Sequence, residues 1–586
     1  MHKILPAFSL ALSVFFFMPG TAWTQELPSP ASSERDAGEE RDDATDTVTT
    51  EPDQGPIDTT APFYRLTHVY EGLLSISERY ATSGRNPRNK KDRVVEEMLS
   101  RAEARVRSAM DSYSSAADDF RLTHLRKVFR SLTQAEIVIA LLARNRNIDS
   151  ATRSSLREMA REMAVVGRDI ASNIYDTAVR ARANSYRLAA ARRSIERGNS
   201  LLARGSYVPA ISLYQGGFNA AANTIVFDPD VFVQNVRDNF ESSSVGYAYA
   251  ITVGGQLYAQ GASGLARTAA DLPVTPHSPT REQHLASVSK PLVAMAVLNL
   301  LDQKGLTPDA PITPWLPSGW NPDTGLMGTT FADLLRHRSR FKQRLNSLFL
   351  PPITVNGNTY AGLKEIAEST PNTLSKGFAY SNVNFAMMRV LVTRLLGFDP
   401  SDYPEDEREG LVTFVFNGFL ETFYDQIDTN INCRDDEAVS TRYYNMPYGN
   451  ETGWSLPSNY YATCGGYGIF ASAQDLAKAL AYFRFTDVLV SSKVKDEMNS
   501  RFLGWSRPTD GYPWGEGKFG VYRNHGGDWY TGGTPRKGLD TCIMDYNIPV
   551  QAVVLINSDG GNYGGGMGSY QCTALRDAFD NAWVAK

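Results

Sequence analysis

At 586 residues the chain is long enough for several domains, and its formal net charge of −5 is unevenly spread. By count it carries about −9 over Glu26–Pro62, about +11 over the next 160 or so residues and about −8 over the rest. After the N-terminus no apolar run reaches membrane-spanning length, and the four cysteines lack the close pairs of a zinc site, which excludes a multi-span membrane protein and a zinc module.

The N-terminus reads as a secretory signal. Lys3 supplies positive charge, Ile4 to Met18 an apolar stretch too short to span, and Ala22-Trp23-Thr24 a place to cleave. We therefore expect a signal peptide at 1–24 and a secreted or periplasmic protein. The first cysteine is Cys433, so no lipid-anchoring cysteine follows the signal. Residues 25–62 are rich in Asp, Glu, Ser, Thr and Pro without apolar periodicity, the pattern of a disordered acidic linker.

Residues 63–225 read as an all-α bundle of five to seven helices. Val94, Met98, Ala102, Val106 and Met110 recur at helical spacing, as do Ile137, Ile139, Leu141 and Leu142, then Leu156, Met159, Met163 and Val166. The last pair, from Ala189 through Gly205 to Tyr214, is similar to a single tetratricopeptide-like hairpin, too little for a repeat array. Its arginines suit contact with an anionic envelope polymer or membrane surface, or are a solvated face balanced by the acidic linker.

From 226 to 586 the chain carries chemistry. Ser287-Val288-Ser289-Lys290 stands before an apolar run from Pro291 to Leu301 that stops at Gly305, the pattern of a buried helix. Lys290 then lies one turn beyond Ser287 on the same side. A hydroxyl needs a base to become a nucleophile, and a lysine amine can be that base when burial lowers its pKa. Alone, the pair is an ordinary helix cap with a surface lysine. Two further segments follow in order. Tyr380-Ser381-Asn382 is a turn entering a second apolar helix, and Asn524-His525-Gly526-Gly527 follows the strand Phe519–Tyr522, where glycines let a backbone approach a ligand.

Together these motifs resemble the serine β-lactamase and penicillin-binding-protein superfamily, most closely its class C β-lactamase-related branch, from about Phe227 onward. Val245–Tyr258, with Gly254-Gly255 at a tight turn, resembles the opening hairpin. Thr330–His337, Cys464–Leu476 and Gln551–Asn557 resemble three further family segments. The resemblance implies an α/β (α+β) fold, in which an antiparallel sheet of about five strands is flanked by helices, with an inserted helical lobe over 305–500 and a closing helix from Tyr570 to Val584. It implies an acyl-enzyme mechanism on an amide or ester: a β-lactam, a D-amino-acid peptide or a simple ester. Ser287 is the nucleophile, Lys290 and Tyr380 share the proton traffic, and Asn382 binds the substrate amide or Lys290. The oxyanion hole falls to the N–H groups of Ser287 and Asp528. His525, where many relatives carry Lys, presents a donor to Tyr380 or a substrate carboxylate and titrates between pH 5 and 8. Gly526 and Gly527 complete that motif. Tyr530-Thr531-Gly532-Gly533 is a second register for it.

Arg338-Ser339-Arg340 departs from the family's Thr-Ser-Gly. Asp528 beside an oxyanion hole opposes negative charge unless turned away. His68, His124, His277, His284 and His337 read as structural or surface residues. No metal or cofactor is implied, and no nucleic-acid partner. Export permits disulfides, and Cys433 with Cys464 and Cys542 with Cys572 give the shortest loops; buried free thiols are the alternative. A degenerate binding protein, or an envelope adaptor working through the bundle, is the rival function. A boundary near 225 leads us to expect that a chain starting near Phe227 stands alone.

Overall fold

A computed structural model of the chain describes residues 58–82, 90–117, 119–347, 349–353, 355–532, 535–563 and 570–586. The expected signal peptide and nearly all of the acidic linker lie outside them. Asp58 to Ala61 form the first described turn, in which the Thr60 N–H donates to the Asp58 carboxylate over 2.8 Å. Among the described residues no helix is long and apolar enough to cross a membrane.

Six helices follow: α1 (Pro62–Thr82), α2 (Lys90–Ser114), α3 (Thr123–Leu142), α4 (Ser150–Arg180), α5 (Ser185–Ala203) and α6 (Tyr207–Ala222). Side chains cap two of them, Asp149 accepting from the Thr152 N–H and Asn184 from the Arg187 N–H. The stripe expected on α2 is rotated. The buried residues are Val95, Leu99, Ala102, Val106, Ala109 and Tyr113, whereas Val94 is 42% exposed. A constant spacing of four precesses around a helix, while alternating steps of four and three hold one face. The same rotation on α3 buries Ile139 and Leu142 and leaves Ile137 and Leu141 exposed.

The chain then enters the C-terminal part through β1 (Ile225–Phe227) and α7 (Pro229–Phe240), the latter capped by the Asp228 carboxylate. β2 (Gly246–Val253) and β3 (Gln256–Arg267) form the expected hairpin, and Gly254 (φ 60°) and Gly255 (φ 78°) make its two-residue turn. Far along the chain come β4 (Arg523–Tyr530), β5 (Gly538–Asp545) and β6 (Val550–Ile556). The strands assemble antiparallel in the order β3-β2-β6-β5-β4, with short segments at 275–276, 444–445 and 558–559 extending the sheet. This is the α/β sheet of about five main strands that the resemblance implied.

Helices cover both faces. α8 (Ser289–Gln303) is buried almost all round. The inserted lobe contributes α9 (Val383–Leu395), α10 (Arg408–Asp425) and α11 (Ala473–Phe485), the last lying on β2 and β6. The closing helix is shorter than expected: α12 spans Gln571–Asp580, and Trp583–Ala585 form a strand, β7, paired antiparallel with β1. Trp583 explains the change. Its ring sits 5.8 Å from Phe227 and stacks 4.2 Å from Phe519, a contact made from an extended segment. Leu575, Phe579 and Trp583 are buried as expected. Both disulfides carry the short-loop pairing, Cys433–Cys464 and Cys542–Cys572.

The helical and C-terminal parts belong to one compact unit and share one hydrophobic core. The Phe63 N–H donates to Glu516 (2.9 Å), the buried His124 Nε2 meets the Phe519 carbonyl (2.8 Å), and Asn547 and Arg484 donate to the carbonyls of Ser115 (2.8 Å) and Ala117 (2.9 Å). Gly520, at φ 125°, lies so close to Tyr113 that a Cβ there would come within 2.4 Å of the Tyr113 carbonyl oxygen. The expectation of a free-standing hydrolase part therefore meets an interface of buried apolar and polar contacts.

Candidate active site

Ser287 sits in a single 3-10 turn, Ala286–Val288, that runs directly into α8. Ala286 holds φ 47°, a left-handed conformation costing a non-glycine residue about 1–2 kcal/mol. The Ala286 N–H donates to His284 Nδ1 (3.1 Å), and the turn is pinned by the Val288 N–H on the Leu285 carbonyl (3.2 Å). The result leaves Ser287 half-buried and reachable while Lys290, one turn on, is fully buried.

Lys290 Nζ has three oxygen neighbours: Ser287 Oγ at 2.9 Å, Asn382 Oδ1 at 2.8 Å and the Gly466 carbonyl at 2.6 Å. Burial pushes its pKa well below the usual lysine value, opposed by the Asp528 charge. Two of the three oxygens can only accept. A neutral amine therefore gives its two protons to Asn382 and Gly466 and turns its lone pair to the Ser287 hydroxyl. The Gly466 carbonyl is a partner that side-chain motifs do not reveal. Gly465 (φ 137°) and the absence of a side chain on Gly466, where a Cβ would lie 2.9 Å from the Asn382 carbonyl oxygen, let that backbone come so close.

Tyr380 donates its hydroxyl to Ser287 Oγ over 2.7 Å, and Lys290 Nζ lies 4.6 Å from its ring centre. Asn382 stands at the start of α9. His337, which the sequence offered only as a structural or surface residue, holds the Tyr380 loop from both sides. The Ala379 N–H donates to the His337 carbonyl (2.8 Å), and the Ser381 N–H donates to its Nδ1 (3.2 Å). Asn384 Nδ2 also lies 3.1 Å from Nδ1, and the imidazole packs 4.3 Å from the Tyr380 ring. Burial keeps His337 neutral, its pKa far below the usual value. The segment that departs from Thr-Ser-Gly is tied down by other bonds. Ser339 Oγ donates to Asn384, Arg338 to Asp510 (2.8 Å), and Arg340 to the carbonyls of Leu374 (2.8 Å) and Gly325 (2.9 Å).

His525, Gly526, Gly527 and Asp528 all lie within β4 rather than past a strand end. Alternation sends His525 and Gly527 to one face and Gly526 and Asp528 to the other. A Cβ on Gly527 would sit 2.5 Å from the Leu285 carbonyl oxygen and 2.8 Å from the Ser287 nitrogen, so the strand presses on the Ser287 turn. A Cβ on Gly526 would meet the Tyr570 hydroxyl on the opposite face. Asp528 is on that second face and is paired in register with Asp540, so its carboxylate turns from Gly527. Thr531 lies beyond the end of β4, where its backbone and hydroxyl bond Lys537 (2.9 and 3.1 Å).

The role expected of His525 changes. Burial pushes its pKa down to about 3, so it does not titrate between pH 5 and 8. Its Nδ1 lies 2.6 Å from the Gly526 carbonyl, which can only accept, so Nδ1 carries the proton. Nε2 is then an acceptor. His525 therefore presents no donor to Tyr380 and no cation to a substrate carboxylate. The two rings stand 6.5 Å apart.

Comparison with known proteins follows this geometry. The Beta-lactamase family model matches residues 232–568. No curated protein matches significantly. Among solved structures, a class C β-lactamase from Rhodobacter sphaeroides is 16% identical, covering 60% of this chain and 98% of its own at a TM-score of 0.41. A β-lactamase/D-alanine carboxypeptidase from Yersinia pestis is 14% identical, covering 61% and 99% at 0.41. A D-amino acid amidase from Ochrobactrum anthropi SV3 is 16% identical, covering 60% and 96% at 0.39. On the family model, which takes in more than half of its residues, the chain belongs to the Beta-lactamase family.

Proposed function

We propose that the protein is an exported serine hydrolase that cleaves an amide or ester through an acyl-enzyme on Ser287. The observation that carries this reading is the buried Lys290 amine with two obligate acceptors and Ser287 Oγ around it. Ser287 Oγ bonds to the substrate carbonyl carbon while its proton passes to the Lys290 lone pair and the carbonyl electrons move onto oxygen. The N–H groups of Ser287 and Asp528 hold that oxyanion. Tyr380 then protonates the departing nitrogen or oxygen as its bond to carbon breaks, and recovers a proton from Lys290. Water repeats the attack on the acyl-enzyme by the same proton path and releases the acid and free Ser287. Asn382 holds Lys290, while Gly526 and Gly527 keep β4 close.

Of the three substrate types, a neutral acceptor at His525 favours a simple ester or amide over substrates whose carboxylate must sit beside β4. A panel of nitrocefin, short-chain p-nitrophenyl esters and D-Ala-D-Ala peptides tests this. Turnover of the esters is expected, and turnover of the carboxylate-bearing substrates alone would reverse the order. A fluorophosphonate label lost in Ser287→Ala separates this enzyme from a degenerate ligand-holding protein. Contact with an anionic envelope polymer has one specific support: Arg187, Arg193, Arg197 and Arg204 are exposed on and beside α5, with Glu196 bonded to Arg192. Co-sedimentation of the full chain with cell-wall material, abolished by salt, is the expected result.

A further inference from the structure

Both disulfides are buried, and each ends beside a backbone group of the site. Cys464 lies two residues before Gly466, whose carbonyl accepts from Lys290 Nζ at 2.6 Å. The stretch from Cys464 to Gly468 has no helix or strand, and Gly465 (φ 137°) and Gly468 (φ 95°) hold conformations that favour glycine. So permissive a backbone does not place a carbonyl unaided. Within it the Gly465 N–H reaches the Tyr467 carbonyl (3.0 Å), and its two ends are tied to other elements. Beyond Gly466, the Ile469 N–H donates to Ser289 Oγ (3.2 Å) and the Ile469 carbonyl accepts from the Leu285 N–H (2.9 Å). Before Gly466, Cys464 is bridged to Cys433, whose neighbour Asn432 exchanges backbone hydrogen bonds with Phe470 (3.3 and 2.8 Å).

The second bridge lies against β4 and β5. Cys542 is paired in register with Gly526, and Thr541 with Gly527. Its partner Cys572 stands in the first turn of α12, directly after Gln571. Gln571 is 1% exposed, and its Nε2 donates to the Gly527 and Thr541 carbonyls, each at 3.1 Å. The peptide joining Gly527 to Asp528 is planar and trans, so its carbonyl and its N–H point opposite ways. Holding the Gly527 oxygen therefore fixes the direction of the Asp528 N–H. Thr541 Oγ1 also donates to the Leu285 carbonyl (2.8 Å), which ties β5 to the Ser287 turn.

We propose that the two disulfides and Gln571 are positioning groups of the active site: Cys433–Cys464 places the Gly466 carbonyl against Lys290, and Cys542–Cys572, through Gln571, places the Asp528 N–H. The proposal rests on the roles given above to Lys290 and to the Asp528 N–H. Because the bridges act on different groups, their losses carry different kinetic signatures.

The test compares full-chain variants on a short-chain p-nitrophenyl ester, well below the Tm of each. Cys542→Ala/Cys572→Ala should lower kcat about 10- to 100-fold at unchanged KM, with the acid limb of the pH profile unmoved. Gln571→Met removes the donor at similar length and should reproduce most of that loss with both bridges intact. Cys433→Ala/Cys464→Ala should move the acid limb to higher pH, because burial is the leading cause of the depressed Lys290 pKa and a slackened loop admits water. Tyr380, His337, His525 and Asp528 are the other titratable groups facing Lys290, and these substitutions leave them in place. Ser289→Ala frees the Ile469 N–H at the other end of the same loop and should move the limb the same way. Folded bridge variants with wild-type kcat and acid limb overturn the proposal, even if their Tm is lower. Where a bridge variant does not fold, wild-type kinetics in Gln571→Met or an unmoved limb in Ser289→Ala overturns the corresponding half. A wild type that neither turns over the ester nor takes a fluorophosphonate label overturns the hydrolase reading and the proposal with it, whereas an active wild type with unmoved variants overturns the proposal alone.

Discussion

Gly527→Ala adds one methyl where β4 presses on the Ser287 turn. Its Cβ would stand 2.5 Å from the Leu285 carbonyl oxygen, 2.6 Å from Thr541 Oγ1 and 2.8 Å from the Ser287 nitrogen. Two of these are backbone atoms that cannot swing aside, and ordinary contact begins near 3.4 Å. The strand and the turn must separate by roughly 0.6–0.9 Å, an overpacking that costs about 1–3 kcal/mol. Gly527 has no left-handed φ, so the effect is steric alone. The displaced atoms are those that place the Ser287 N–H, and a misplacement near 1 Å costs about 100-fold in rate. We expect kcat/KM on a short p-nitrophenyl ester to fall about 100-fold, slower fluorophosphonate labelling of Ser287, and a lower Tm. Gly418→Ala is the control. It lies in α10 with nothing near its Cβ, so alanine should be neutral or stabilise by up to ~1 kcal/mol. A Gly527→Ala enzyme with wild-type kcat/KM and Tm would refute the close approach of β4 to Ser287.

Ser287→Ala should abolish ester turnover while leaving the thermal transition in place; residual turnover near the wild-type rate would remove it as nucleophile. Lys290→Met and Tyr380→Phe should each cost nearly as much as the pair together, because they share one proton path, and losses that multiply would separate them. On the proposed mechanism the active amine is neutral, so activity should be lost as pH falls through the depressed Lys290 pKa; His525→Gln should keep that limb, since His525 stays neutral down to about 3. His337→Ala should lower kcat about 10- to 100-fold at unchanged KM by freeing the Tyr380 loop, and His337→Asn, which tolerates φ 52° and offers an acceptor, should recover part of it. A chain beginning at Phe227 loses at least the four interface hydrogen bonds described above, worth about 4 kcal/mol together, so a lower Tm or insolubility is expected; an unchanged Tm would show that the interface contributes nothing.

Local spacing carried the readable part of this site. Ser287 and Lys290 are three apart on one helix, and Tyr380 and Asn382 two apart on one loop, so short-range geometry already points each pair together. The hairpin turn at Gly254-Gly255 was legible for the same reason. His337 was not, because its role depends on the Tyr380 loop folding back across 42 intervening positions onto its ring and carbonyl. The Gly466 carbonyl was hidden because a backbone acceptor leaves no residue-type signal. The tautomer of His525 depends on one neighbouring carbonyl and on burial, neither visible in a motif. In α2, counting steps of four found a helix and only the middle of its buried side, Ala102 and Val106, since only the alternation of steps fixes which residues stay facing the core.

The strand order also has a consequence for how the chain is made. β2 and β3 leave the ribosome early, but the neighbour of β2 is β6, whose first pair joins Val253 to Val550. Nearly three hundred residues, including the whole helical lobe, must be synthesised before that edge is closed, and β1 waits longer still for Trp583. Meanwhile a hairpin with an open edge and an apolar face stands uncovered, the kind of intermediate that invites mispairing between chains. Closing so long a loop is also slow. The protein should therefore refold poorly from denaturant at high concentration, and its yield in cells should depend more on holding chaperones than on its final stability.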